Sequence, residues 1–250
     1  MSATHAVELR FLGTGDAFGG GGRLHASALV RSPGGALLVD CGPSVLAALR
    51  RAALDPDAVD AIVLTHLHGD HFGGVPFVLM DGHYATRRTR PLLVAGPAGV
   101  ESAVSRALEA LFPGSGSLTT RFPVTYTEWQ PGEAADAGPA RVTPLLVRHS
   151  ASTPCYGLRV ETGGRVLAFS GDTEWVDSLV DLAAGADLFV CECSGYEAAP
   201  PGHLDYVTLE RHLPQLACRR LLLTHMGEDM LSRIGGLPLD AARDGLVLTI

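Results

Sequence analysis

The stretch Thr65-His66-Leu67-His68-Gly69-Asp70-His71-Phe72-Gly73-Gly74 decides how this chain is read. Four potential metal ligands fall within six residues, and packing needs none of them. His66 and His68 are two apart, so both can reach one ion from an extended or turning backbone. Asp70 and His71 can serve a second ion nearby, and imidazole with carboxylate suits divalent zinc, manganese or iron. Gly69, Gly73 and Gly74 permit the tight backbone that gathers these groups. The run Asp60–Thr65 in front of them is almost uninterruptedly apolar and reads as a buried strand. The motif therefore sits where an α/β sheet presents its functional loops.

Outward from this motif the chain alternates strands and helices. Upstream, strands are expected at Val7–Leu12 and Ala36–Asp40, with a glycine-rich loop Gly13–Gly22 between them and a helix from Pro43 to about Leu54. Downstream come a strand at Pro91–Ala95, a helix from Pro97 to Phe112 and a strand near Val124–Trp129. Arg141–Arg148, Tyr156–Glu161 and Val166–Ser170 read as strands, the last two joined by a Gly163-Gly164 turn. Helices at Trp175–Ala183 and Asp205–Leu216 then alternate with strands at Asp187–Cys191 and Arg219–Thr224, and Leu246–Ile250 closes the chain. No linker-like stretch divides this series, so residues 1–250 are expected to form one α/β domain. Three more ligand-type residues share the placement of the first motif, each just after a strand: His149, Asp172 in Ser170-Gly171-Asp172-Thr173, and His225.

Composition narrows the chemistry. The 250 residues carry 19 Lys+Arg against 27 Asp+Glu, a formal charge of −8, which disfavours a nucleic-acid coat. All of the cations are arginine, so Schiff-base lysine chemistry, pyridoxal phosphate and a P-loop lysine are excluded. No apolar run approaches the ~20 residues of a membrane span. The first residues lack a basic stretch followed by an apolar core, and five scattered cysteines make no disulfide framework. A cytoplasmic protein with reduced thiols and no membrane partner is expected.

His-x-His-x-Asp-His, a later His, Ser-Gly-Asp-Thr and a late Thr-His together resemble the metallo-β-lactamase superfamily, nearest its ribonuclease Z-like phosphodiesterase branch. Leu12-Gly13-Thr14-Gly15, Asp40-Cys41-Gly42 and Ala186-Asp187-Leu188 extend the resemblance over nearly the whole chain. It implies a four-layer αββα sandwich and two divalent ions, zinc by default with manganese or iron compatible. By resemblance, His66, His68 and His149 hold one ion, Asp70, His71 and His225 the other, and Asp172 bridges them. Asp70 could also accept the proton of the attacking water. The resemblance further implies that His203, in Pro201-Gly202-His203-Leu204, is a non-ligand that contacts the phosphate and assists the leaving group. A homodimer is what related proteins suggest.

Other features are set aside. Gly13-Thr14-Gly15-Asp16-Ala17-Phe18 fails the dinucleotide fingerprint at its last position and is expected to rim the metal site. Cys191 and Cys193 lack the further ligands a structural zinc needs. Arg87, Arg88 and Arg90 are expected in a solvated loop, and His5, His25, His83 and His212 as structural or solvated. The expected function is dinuclear metal-dependent hydrolysis of a small phosphodiester, with cyclic ones among the candidates. The alternatives are a ribonuclease Z-like tRNA 3′ endonuclease, a lactonase or thioesterase, and a non-catalytic ligand sensor. Size separates the first two: many tRNA-processing relatives carry a long arm between the third histidine motif and the bridging aspartate. Here His149 and Asp172 are only 23 positions apart.

Overall fold

In the computed structural model, which describes residues 6–250, the apolar runs of the sequence pair into two mixed seven-stranded sheets. The strands are β1 (Glu8–Gly13), β2 (Ser27–Ser32), β3 (Gly35–Val39), β4 (Ala61–Val63), β5 (Leu92–Gly96), β6 (Val124–Glu128), β7 (Ala135–Ala137), β8 (Ala140–Val147), β9 (Cys155–Thr162), β10 (Arg165–Phe169), β11 (Leu188–Glu192), β12 (Leu221–Thr224), β13 (Asp240–Ala241) and β14 (Val247–Thr249). One sheet runs β14-β1-β2-β3-β4-β5-β6 and the other β13-β12-β11-β10-β9-β8-β7. Both change from antiparallel to parallel in mid-sheet, at β3 and at β10.

Successive side chains on a strand point to opposite faces, so an uninterrupted apolar strand must be covered twice. Leu37, Val39, Ala61, Val63, Leu167, Phe169, Leu188, Val190 and Leu222 meet between the two sheets. Their neighbours Leu38, Ile62 and Leu64 turn outward under α1 (Val45–Arg51), α3 (Val75–Met80) and α4 (Val100–Leu111). On the other side Ala168, Phe189, Cys191 and Leu223 lie under α5 (Ser178–Ala183), α6 (Tyr206–His212) and α7 (Glu228–Arg233). Helix, sheet, sheet and helix give the expected αββα sandwich, with the two parallel halves carrying their loops to the same edge.

The strands expected from the sequence are present within a residue or two, and the Gly163-Gly164 turn closes β9 onto β10 with both glycines at positive φ, 55° and 75°. β2, β7, β13, α3 and α7 were not among the expected elements, and neither was α2 (Gly69–Phe72), a single turn inside the histidine motif. In the arginine cluster Arg87 and Arg90 are exposed as expected and Arg88 departs from expectation. Arg88 is 3% exposed and clamps the chain, donating to the carbonyls of Asp57, Val59, Arg90 and Pro91 beneath the Phe122 ring. Arg90 instead pairs with Asp60. His83 accepts the Arg121 N–H at 3.2 Å, His212 stacks on Trp175 at 4.0 Å, and His5 lies outside the described residues. Cys191 and Cys193 pack with the buried apolar side chains of the second outer layer. No helix among the described residues is long and apolar enough to cross a membrane.

Candidate metal centre

The histidine motif begins where β4 ends. Asp40, just past β3 and at φ 57°, accepts hydrogen bonds from the Thr65 N–H (2.9 Å) and the Thr65 hydroxyl. The next residue laces the motif down: the Cys41 N–H donates to His71 O and the Gly74 N–H to Cys41 O. A Cβ on Gly42 would stand 2.5 Å from Asp70 O, so the Asp40-Cys41-Gly42 turn tolerates no side chain there. α2 then closes a turn in which the His71 and Phe72 N–H groups donate to His68 O. This carries Asp70 and His71 inward on the turn, while His68 stays exposed at the rim.

The second sheet supplies its residues one strand end at a time. His149 follows β8, and its Nδ1 donates to Gly202 O at 2.8 Å. A Cβ on Gly202, which sits at φ 84°, would come within 2.5 Å of His149 O. Asp172 follows β10 through Gly171, where a Cβ would lie 2.6 Å from Tyr156 O. His225 follows β12 at φ 55°, its N–H on Thr14 O (3.1 Å), which brings the first glycine loop alongside the site.

These seven side chains meet in two adjoining groups. His66, His68 and His149 form one; Asp70, His71, Asp172 and His225 form the other. His71 Nδ1 is held by Asp40 at 2.7 Å, which turns Nε2 toward Asp70 Oδ2 (3.3 Å), Asp172 Oδ1 (3.2 Å) and His225 Nε2 (3.4 Å). Ligands around a tetrahedral ion with bonds of about 2.0–2.1 Å stand roughly 3.3–3.4 Å apart. The other oxygen of Asp172 looks both ways, 3.4 Å from His225 Nε2 and 3.8 and 3.7 Å from the Nε2 atoms of His66 and His149. His149 Nε2 is 2.9 Å from His68 Nδ1, and buried His66 Nε2 has no hydrogen-bond partner. Lone pairs converging without donors are what a cation would satisfy, so the residues fit two divalent ions.

The electrostatics differ between the groups. Burial, reinforced by His71, drives His66 well below its usual pKa, and burial with His149 lowers His68, so this group favours the neutral, ligating form of imidazole. Burial opposes charge in the other group as well, but Asp172 and Asp40 raise His71 well above its usual value. Against its own burial, Asp172 is held well below the carboxylate range by His225 and His71, and Asp70 by hydrogen bonds from His225 and His71.

His203 is outside both groups' shortest contacts. Its ring lies 4.6 Å from that of His149 and stacks parallel to His225 at 5.5 Å. Its Nδ1 is paired with Glu192 Oε1 at 3.1 Å, which leaves Nε2 free of that bond. Glu192, 1% exposed at the end of β11, also accepts the Thr173 and Leu204 N–H groups. Burial and then Asp172 push its carboxyl well up. Sequence analysis passed over Asp40 and Glu192 as site residues. The signal was present: each is an acidic residue on the last turn of an apolar strand, where only a partner makes burial affordable.

A family profile described as "Anti-Pycsar protein Apyc1" matches residues 7–237. The protein called ribonuclease Z in Mycobacterium bovis (strain BCG / Pasteur 1173P2) is 34% identical over 193 residues, 74% of this chain and 69% of that protein. Human short-form tRNase Z superposes with a TM-score of 0.80 at 24% identity, covering 97% of this chain and 99% of its own. A structure titled a new diphosphatase from the PhnP family gives 0.78 at 21% identity, covering 98% of each chain.

Proposed function

The chain is a metallo-β-lactamase-fold hydrolase related to ribonuclease Z and belongs to the family described as "Anti-Pycsar protein Apyc1", and from that premise we propose that it is a dinuclear phosphodiesterase for a small, cyclic phosphodiester such as a cyclic mononucleotide. The observation that carries this reading is the sharing of Asp172 between two donor groups, with an oriented histidine, His203, beside them. Two divalent ions, zinc being the expected metal and manganese or iron compatible, would supply an activated water and draw off negative charge from the phosphoryl oxygens.

The protein's own part is positioning. His66, His68 and His149 would hold one ion and Asp70, His71 and His225 the other, with Asp172 shared between them. Asp70, whose Oδ2 lies 3.3 Å from both His71 Nε2 and His225 Nε2, would take the proton of the attacking water. His203, steadied by Glu192, gives a proton from Nε2 to the departing oxygen. Exclusion of a macromolecular substrate rests on the short way from His149 to Asp172, which β9, a two-glycine turn and β10 occupy apart from a short loop at 150–154 and the two residues before Asp172. The net charge of −8 likewise gives little phosphate neutralisation. The homodimer and cytoplasmic location belong to this proposal as expectations from related proteins and from the thiols.

Zinc-reconstituted protein should hydrolyse bis-p-nitrophenyl phosphate and cyclic mononucleotides, lose both activities to a chelator, and leave lactones, thioesters and precursor tRNA untouched. Cleavage of precursor tRNA at its 3′ trailer without turnover of small cyclic diesters would establish the tRNA endonuclease instead.

A further inference from the structure

A groove of about 380 Å³ opens directly beside His68, on the outer side of the metal centre. This volume falls in the range of roughly 300–1,000 Å³ usual for small-molecule sites. Its floor is apolar: Leu67 and Phe72 come from the histidine motif, and Ala103 and Ala107 stand one helical turn apart on α4, leaving space that larger side chains would fill. Ser152 and Thr153, on the loop after His149, put hydroxyls on its rim.

Arg106 forms the remaining wall. Arg50, Arg90, Arg148 and Arg220 each lie on a carboxylate, whereas Arg106 has only the Ser102 hydroxyl, which accepts from Nη1 at 3.0 Å, and no ion pair among the described residues. An unpaired guanidinium lining an apolar groove that it shares with a candidate metal ligand, His68, offers a flat ring both a surface and a donor-only edge.

We infer that this groove holds the base of a nucleotide substrate and that Arg106 selects bases whose edge presents carbonyl acceptors. The inference rests on the phosphodiesterase reading, in which a phosphate held at the candidate metal centre would have the groove beside His68 within reach of its remaining substituent. Guanidinium carries donors and no acceptor, so it matches the oxygen-bearing edges of guanine and uracil and is mismatched with the amino group of adenine. Leu67 and Phe72 would take the ring face of any base, leaving discrimination to Arg106.

Isothermal titration of the zinc-loaded full chain with GMP, UMP and AMP tests this. Wild type should bind GMP and UMP more tightly than AMP. Arg106→Ala should weaken GMP and UMP about 5- to 100-fold, the scale of one bidentate arginine contact, while changing AMP less than about threefold. Arg106→Lys should recover only part of the loss, because ammonium keeps the charge without the fork. Equal weakening of all three nucleotides, or no weakening, overturns the inference. Wild-type hydrolysis of bis-p-nitrophenyl phosphate is measured beside it. Hydrolysis without base-selective binding removes the groove and keeps the phosphodiesterase. Base-selective binding that depends on Arg106 without hydrolysis does the reverse.

Discussion

The two sheets build the metal centre by different means. The first delivers His66, His68, Asp70 and His71 from one loop after β4, over a buried Asp40 that grips Thr65 and His71. The second delivers His149, Asp172, His203 and His225 from separate segments, over a buried Glu192 that grips His203 and the Thr173 backbone. Each half thus has one acidic residue under its imidazoles, but the tasks differ. Asp40 orients a candidate ligand, while Glu192 orients a candidate proton donor. The difference teaches that a ligand set packed into one turn is fixed by a few bonds within the turn and from one neighbouring segment, Asp40-Cys41-Gly42. A dispersed set needs the whole sheet to hold its register.

Asp172, whose carboxylate oxygens face both donor groups, should give the largest effect. Asp172→Ala is expected to lose ions from both groups, read by elemental analysis, with phosphodiester turnover falling to background. Retention of one ion would mean that the halves are independent sites. His203→Ala should keep full metal content and lower turnover about 10²–10⁴-fold on a diester with a poor leaving group. On p-nitrophenyl esters the loss should be slight, since that leaving group scarcely needs a proton.

The two buried acids then separate. Asp40→Asn should weaken metal affinity about 10–100-fold, the usual cost of removing a ligand's carboxylate partner. Glu192→Gln should leave affinity near wild type and slow turnover, by no more than His203→Ala does. The reverse pattern in metal titrations would exchange the roles given to the two halves.

Acidity sharpens the contrast further, since protons compete with metal in the second group. In chelated protein, His71 and His225 have raised pKa values, so their stabilisation is full below 6.5 and is lost as pH climbs through the raised values. Asp70 and Asp172 are depressed, so theirs is present above 3.8 and is lost as pH falls through the lowered values. Thermal melts of chelated protein should therefore peak in mildly acidic buffer, and zinc should move the optimum upward. An optimum that zinc leaves unmoved would break this account. The smallest effect on the site is expected from Arg88→Ala, far from the metals. Losing its four carbonyl contacts should cost roughly 2–4 kcal/mol and lower Tm by roughly 5–10 °C, with zinc stoichiometry unchanged.

The same contrast governs what the sequence disclosed. The contiguous half announced itself, because four ligand types in six residues have no packing explanation. His149, Asp172 and His225 were visible only as a set, each after a strand, and their partition came from family resemblance. Asp40 and Glu192 were missed because their partners, His71 and His203, are 31 and 11 residues away and only folding brings them together. α2 was missed because one turn of Gly-Asp-His-Phe has no periodicity to read, and its shape is imposed by the backbone bonds from Cys41 and His68. Arg88 was mistaken for solvated because arginine-rich loops usually are, and only the tertiary fold turns four carbonyls toward it.

The account stands on one centre assembled from both halves, and counting its ions is the direct test. Full-length wild-type protein, stripped with chelator, reconstituted with zinc and freed of excess by gel filtration, should carry two zinc ions per chain by elemental analysis. One ion per chain, or none, would contradict it.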